Sequence, residues 1–313
     1  MSKYMTPVLV LVLAVLAITL AYNGSVVVTG MASSMTRTFN ATTGSADPIV
    51  RTVTCYDADD TTDVDLNAFA TSTVVCNATV YDSEGCQDYN GTVGGSSQGE
   101  FYDAEIESQP CGANNHSDCY NNASCEFTGA CSSLTNQTVE CSFDVYYSAN
   151  NVTWTGWINV SDSGSLTDNN TDNITVANLN ALNLTDEFIF LGNIAPGADT
   201  TLTNVSMGVD NGGNIKIDLD LNGTTDFTCA TGPNILIGNL VYDTSAATAY
   251  GSGTNLTTTA TALSTFDLLE PQNVAATPST ASGTLYWGMG IPIGTVGSQT
   301  CDATVRVAAI MDQ

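Results

Sequence analysis

Hydrophobic positions fall into two regimes along this chain. Between Lys3 and Arg37 no residue is charged, and residues 7–22 read PVLVLVLAVLAITLAY. The sixteen residues of that run, wound as a helix, rise about 24 Å, close to the roughly 30 Å hydrocarbon core of a bilayer. Further on, apolar residues come in short alternating runs broken by Gly, Asn and Asp. Residues 49–55, 72–80, 138–147 and 154–160 read as strands on this pattern. So do residues 188–197, a strand ending in a turn, then 201–209, 215–221, 285–289 and 304–310. Within 215–221 the alternation places Ile215, Ile217, Leu219 and Leu221 on one face and Asp218 and Asp220 on the outer one. Residues 210–214 (DNGGN) read as a turn with three residues tolerant of positive φ, and Asn222-Gly223 as a hairpin turn. Outside the leader no 3.6-residue apolar period of useful length occurs, which points to an all-β sandwich for the first exported domain.

The leader has three readings. As a secretory signal peptide it has Lys3 as its positive n-region and Thr19 and Ala21 as small residues at the cleavage site. As an uncleaved anchor it runs from residue 5 to 28, interrupted by Asn23, Gly24 and Ser25. As a pilin-like helix it sits in the membrane before assembly and in a filament core afterwards. Residues 25–29 either begin a strand or prolong the helix to about residue 35, and residues 36–47 read as a linker.

Composition fits export. Five Lys+Arg stand against 32 Asp+Glu, a net charge of −27, which removes the basic footprint that nucleic acid requires. Only 12% of residues are charged, so Thr, Ser, Asn and sugar must cover much of the surface. Ten cysteines occur, eight of them at Cys55, Cys76, Cys86, Cys111, Cys119, Cys125, Cys131 and Cys141, and two at Cys229 and Cys301. With no C-x-x-C and His116 as the lone histidine, they read as disulfides and not as zinc ligands. Cys229 and Cys301 are expected to bridge the second β domain. Residues 94–134, with four of the cysteines among Gly, Asn and Ser, read as a disulfide-stapled excursion from the first. One N-x-S/T sequon, Asn23, lies in the leader. Fourteen follow it: Asn40, Asn77, Asn90, Asn115, Asn122, Asn136, Asn151, Asn159, Asn169, Asn173, Asn183, Asn204, Asn222 and Asn255, all candidates for N-linked glycans.

Several stretches resemble a known family. CNATVYDSEG at 76–85 and VECSFDVYYSANNVTW at 139–154 look like an Ig-like module of surface proteins from small-genome archaea. FLGNIAPG at 190–197, VDNGGNIKIDLDLNGTTDFTC at 209–229 and LYWGMGIPIGTVG at 285–297 are similar to the companion β-sandwich module. The resemblance covers most of residues 70–310 and implies a mainly β chain: a hydrophobic N-terminal helix with the start of a linker (1–35), a disulfide-rich Ig-like sandwich (36–178) and a second β-sandwich (179–313). It also implies that Cys76 and Cys141 form the inter-sheet pair of the first domain. The leader departs from archaeal pilins, which are cut after a basic residue plus Gly or Ala; here Lys3 is followed by Tyr4 and Met5.

Chemistry is sparse. Asp57, Asp59, Asp60, Asp63 and Asp65 put five carboxylates within nine residues, a set of hard oxygen donors suited to a structural Ca²⁺. Residues 218–226 (DLDLNGTTD) imitate a calcium loop, but Cys229 stands where the bidentate Glu belongs. His116 has no serine or thiol at diagnostic spacing, and no catalytic motif occurs. Trp154, Trp157 and Trp287 read as core or sheet-face residues. The expectation is therefore a non-enzymatic, extracellular structural subunit that partners itself, with no cofactor beyond Ca²⁺ and glycans. Its most concrete form is a pilus-like filament with the leader helices in its core. A membrane-anchored surface-layer protein or an adhesin is the alternative, and a secreted hydrolase the remote one.

Overall fold

The computed structural model describes residues 46–57, 62–90, 94–106, 109–111, 116–129, 135–202, 205–246, 249–271, 281–295 and 297–312. The leader at 7–22 and the linker at 36–45 lie outside them. Residues 45–313 form one compact unit. Its described residues are mainly β-strand, in two sandwich-like halves with separate cores. Among them no helix is long and apolar enough to cross a membrane.

In the first half, one sheet has strands β1 (Ile49–Tyr56), β3 (Thr71–Tyr81), β7 (Asn136–Tyr146) and β6 (Glu126–Thr128) side by side in that order. The other sheet runs β2 (Asp63–Val64), β9 (Thr167–Val176), β8 (Thr153–Ser161), β4 (Ser96–Asp103), β5 (Cys119–Asn122). Period-two alternation builds the core: Val74, Cys76, Ala78 and Val80 of β3 and Val139, Cys141, Phe143 and Val145 of β7 are buried on one face. Phe101 of β4 and Trp154 of β8 stack across from them, ring centroids 4.9 Å apart. The described residues of 94–134 are thus no excursion. They supply β4, β5 and β6, and β4 is flanked on both sides within its sheet.

β9 carries no apolar alternation over most of its length, yet it pairs with β8 over nine residues. Its half-buried positions are polar because they bond the backbone of β1. Asp168 Oδ2 accepts from Val50 N at 2.8 Å and Asp172 Oδ2 from Cys55 N at 2.9 Å. Asn170 Nδ2 donates to Arg51 O at 2.9 Å. Side chains of one sheet here satisfy an edge of the other.

The disulfides correct the expected pairing. Cys76 bonds Cys55, and Cys141 bonds Cys125. Cys76 and Cys141 face each other on adjacent strands of a single sheet, so an inter-sheet bond between them is geometrically excluded. Cys55 and Cys76 are register partners, and Cys125 lies one residue before the Glu126–Glu140 pair, which sets it opposite Cys141. The Cα separations of 4.1 and 4.6 Å are those of directly opposed cross-strand residues. Four cysteines therefore run in a row across β1, β3, β7 and β6. Cys111 bonds Cys119, and Cys86 is also disulfide-bonded.

In the second half, β10 (Leu182–Leu184), β11 (Ser206–Asn211), β17 (Ala281–Met289), β14 (Leu240–Asp243) and β15 (Thr254–Asn255) make one sheet. Strands β16 (Thr261–Leu268), β12 (Ile217–Gly223) and β19 (Val305–Met311) make another. A two-stranded ribbon of β13 (Thr228–Cys229) and β18 (Cys301–Asp302) carries the Cys229–Cys301 bond. Ile217, Leu219 and Leu221 point into the core with Trp287, all fully buried. Asp218 is buried too, not outward, and Asn222 and Gly223 make no hairpin turn: they pair with Arg306 and Val305 as part of β12. Residues 188–197 form no strand, and Phe188 and Phe190 are exposed.

The two halves meet at residues 210–214. Gly212 and Gly213 do not adopt positive φ. They are glycine because other atoms stand where a Cβ would go: the Phe69 ring at 2.1 Å from position 212 and Leu179 O at 1.9 Å from position 213. Phe69 belongs to the first half, sits at φ 56° and packs on Tyr147. Asn214, 4% exposed, donates from Nδ2 to Ala149 O and Ala177 O and accepts from Leu179 N at 2.7 Å.

Candidate functional site

Of the acidic stretch expected to hold Ca²⁺, the described residues are Asp57, Asp63 and Asp65, and these three do not form one group. Asp57 is buried, and its Oδ2 accepts from the backbone N–H of Asp65 at 2.8 Å, so it staples its own loop. Asp63 and Asp65 are exposed, and no three-carboxylate group among the described residues includes them. Asp59 and Asp60 lie outside the described residues.

Two groups of three carboxylates do converge elsewhere. The first is Asp218, Asp267 and Asp312, with one oxygen of each within 4.8 Å of the others. The protein supplies its cation: Lys216 Nζ lies 2.6 Å from Asp267 and 2.5 Å from Asp312. Hydrogen bonds to these two aspartates hold the Lys216 ammonium well above its usual range. The neighbouring Asp220 faces Arg306 at 3.9 Å, and Asp226 Oδ1 accepts from Ile237 N at 2.8 Å. The acids of residues 218–226 are thus used inside the fold. Beside them, a polar cleft of about 440 Å³ is lined by Asn150, Asn178, Lys216, Glu270 and Asp312.

The second group is Asp82, Glu84 and Asp88, again with oxygens within 4.8 Å of one another. It forms in the turn that follows β3, with the sequence Asp82-Ser83-Glu84-Gly85-Cys86-Gln87-Asp88. Glu84 N donates to Asp82 Oδ1 at 2.7 Å, and Gly85 at φ 102° reverses the chain. Disulfide-bonded Cys86 and fully buried Tyr89 pin the turn, the latter by a bond from its hydroxyl to Val80 O at 3.3 Å. Burial pushes the Tyr89 phenol up to about 12. Ser163, in the turn after β8, donates from Oγ to Asp88 Oδ1. Its neighbour Asp162 is also buried.

Asp82 is fully buried. Its Oδ2 has no hydrogen-bond partner, nor has Asp88 Oδ2. Burial raises the Asp82 pKa above the ordinary aspartate value, the Glu84 N–H opposes the rise, and the charges of Asp88, Glu84 and Asp162 add to it. In the sequence, Asp82 and Glu84 fall within the CNATVYDSEG stretch at 76–85 that carries the family resemblance. Three acids in seven residues are sparser than the five in nine at 57–65.

Sequons divide by exposure. Asn136, Asn151, Asn169, Asn173, Asn183 and Asn255 are exposed, whereas Asn77, Asn90, Asn122, Asn159 and Asn222 are half-buried. Asn77 Nδ2, the atom a glycan would occupy, donates to Tyr56 Oη at 2.6 Å. Asn169 and Asn173 share the outward face of β9. Asn40, Asn115 and Asn204 lie outside the described residues. Trp154, Trp157 and Trp287 are all buried. His116 packs its ring 4.2 Å from that of Tyr146.

No protein-family model matches the chain, and no curated protein matches it. Among solved structures it is similar to the C-terminal domain of the Streptococcus agalactiae AgI/II polypeptide BspA, at 11% identity and TM-score 0.24 over 84% of this chain and 99% of that one. It is similar to the C-terminal domain of the Streptococcus pyogenes antigen I/II-family protein AspA at 11% identity and TM-score 0.26, covering 85% and 99%. A chain from a chaperone–tip adhesin complex of CFA/I fimbriae aligns at 10% identity and TM-score 0.30, covering 85% and 91%. Likenesses this distant bear on neither the fold nor the function of this chain.

Proposed function

We propose that this chain is a non-enzymatic structural subunit of an extracellular surface assembly: a pilus-like filament, with residues 7–22 bundled in its core and the glycosylated sandwiches outside. The observation that carries this reading is the junction at 210–214. Gly212 and Gly213 let Phe69 and Leu179 close on the backbone, and Asn214 ties both halves through buried hydrogen bonds. A junction of this kind suits a part that bears load as one piece. The disulfide row in the first core supports maturation in an oxidising compartment, and the exposed sequons support a sugar coat. The resemblance to archaeal surface proteins points the same way. An anchored surface-layer protein or an adhesin is the alternative.

Electron microscopy of surface material sheared from the source cells tests the proposal, paired with N-terminal sequencing of the mature chain. Filaments labelled by an antibody to residues 45–313 are expected. A flat lattice selects the surface-layer alternative. A chain that is monomeric in every fraction, or that starts at Tyr22, overturns the helix-core filament.

A further inference from the structure

We propose that Asp82, Glu84 and Asp88 form a Ca²⁺ site that ties the two sheets of the first sandwich together at one end. The donors are all carboxylate oxygens, the ligands a hard cation takes. Ca²⁺ holds oxygens at about 2.4 Å, so any two ligands of one ion are at most about 4.8 Å apart. The three carboxylates meet that limit, each with an oxygen within 4.8 Å of the other two.

A cluster of acids alone would not carry the inference. Asp82 does, because it is fully buried and its Oδ2 has no hydrogen bond. Asp88 Oδ2 is in the same condition. A buried carboxylate needs a counter-charge or a donor. Between residues 46 and 312 the Lys and Arg residues are Arg51, Lys216 and Arg306. Lys216 and Arg306 are paired with Asp267, Asp312 and Asp220, and Arg51 lies over the Tyr81 ring, 4.5 Å from its centroid. The chain thus contains its own comparison. In the group at Asp218, Asp267 and Asp312, Lys216 pairs with Asp267 and Asp312, whereas among the described residues no Lys or Arg pairs with Asp82 or Asp88.

The turn is suited to a ligand role. Gly85 and the Asp82–Glu84 backbone bond fold it tightly, and Cys86 and Tyr89 fix it to the core. Asp82 ends the sheet containing β3. Asp88 bonds to Ser163, in the turn leaving β8 of the facing sheet, and buried Asp162 lies beside it. An ion here would offset two of the three negative charges of Asp82, Glu84 and Asp88 and hold both sheets. A set of three side-chain carboxylates in a short turn favours Ca²⁺ over Mg²⁺, which demands near-ideal octahedral geometry and retains more water.

The test is thermal denaturation of the full-length protein, stripped with chelator and then titrated with CaCl2 or MgCl2. A saturable rise in Tm with CaCl2 is expected, at least tenfold weaker in affinity for Asp88→Asn and absent for Asp82→Asn. The Asp63→Asn/Asp65→Asn variant should retain the full rise. Asp82→Asn should melt higher than wild type in chelator, because it no longer buries a charge. Terbium luminescence sensitised by Tyr81 and Tyr89 gives a second readout, its affinity weakened at least tenfold in Asp88→Asn even if Asp82→Asn does not fold. The proposal is overturned by no Ca²⁺-dependent shift in wild type up to millimolar concentration, by a shift of undiminished affinity in Asp88→Asn, or by an equal response to MgCl2.

Discussion

Gly156 of β8 lies directly over Cys55 of the facing sheet: a Cβ at position 156 would stand 2.2 Å from Cys55 Sγ and 2.6 Å from Cys76 Sγ. Gly99 of β4 has the same relation to the other bond, 2.7 Å from Cys141 Sγ and 3.2 Å from Cys125 Sγ. Each disulfide in the cysteine row is seated against a glycine of the opposite sheet. The sheets approach this closely only because both positions lack a side chain.

Gly156→Ala should therefore overpack the core, at a cost of about 2 kcal/mol. That corresponds to a Tm lower by roughly 4–8 °C for a domain of this size. Removing the disulfide with Cys55→Ala/Cys76→Ala makes room, so the penalty of Gly156→Ala should shrink in that background. A double-mutant cycle by urea denaturation measures the coupling. An equal penalty in both backgrounds would show that the alanine is rejected by something other than the disulfide.

Peptide mapping without reduction should recover Cys55 linked to Cys76 and Cys125 linked to Cys141. Recovery of a Cys76–Cys141 peptide would mean that the cysteine row is bonded across its middle, as the Ig-like pattern implies, and would remove the covalent tie of β1 and β6 to the sheet. The two arrangements differ mechanically, because only the first secures the outer strands of the row.

The extent to which this fold was legible in the sequence follows from which side chains face the core. β3, β7 and β12 bury Val, Phe, Leu and Ile at alternate positions, and their strands are readable directly. β9 is not, because Asp168, Asn170 and Asp172 point at backbone amides and carbonyls of β1. Spacing reveals that cysteines exist but not which strand each one faces, so the row was hidden. Gly212 and Gly213 looked like turn residues, since sequence does not separate a glycine needed for φ from one needed for close approach. The Asp82 group was obscured for a similar reason: its partner Asp162 comes from a turn far along the chain.

Glu100 of β4 provides a pH test. It is buried, and its Oε2 accepts from Cys111 N at 3.1 Å. Burial raises its carboxyl pKa, with the Cys111 N–H working in the opposite direction. The folded state then holds a proton that the unfolded state has lost, between the ordinary glutamate value and the raised one. Stability contributed at this site is full below the ordinary value and falls as pH rises through that window. Glu100→Gln keeps an acceptor for Cys111 N and removes the charge. It should be more stable than wild type at pH 7, with the difference vanishing near pH 3, below the ordinary carboxyl value of roughly 4.3. Urea midpoints at the two pH values decide it. A variant less stable at pH 7 would mean that the hydrogen bonds of the charged form outweigh its desolvation.

Asn214 should control whether the two halves unfold together. Its Nδ2 donates to Ala149 O at 2.9 Å and Ala177 O at 3.0 Å, and its Oδ1 accepts from Leu179 N. Ala149 belongs to the first core, while Asn214 leads into β12 of the second. Asn214→Ala strands three backbone groups in a site only 4% exposed, a loss of about 2–4 kcal/mol at roughly 1 kcal/mol or more per unsatisfied group. Phe69→Ala removes the ring that packs on Gly212 and Tyr147, and should act in the same direction. Because these contacts hold one half to the other, their loss should lower coupling more than it lowers the stability of either core. Calorimetry is expected to show one transition for wild type and two for Asn214→Ala, the first half, with its disulfides, melting later. One transition displaced to lower temperature would instead mean that the halves share a larger interface than residues 210–214, and the junction would then not be what makes the chain a single mechanical piece.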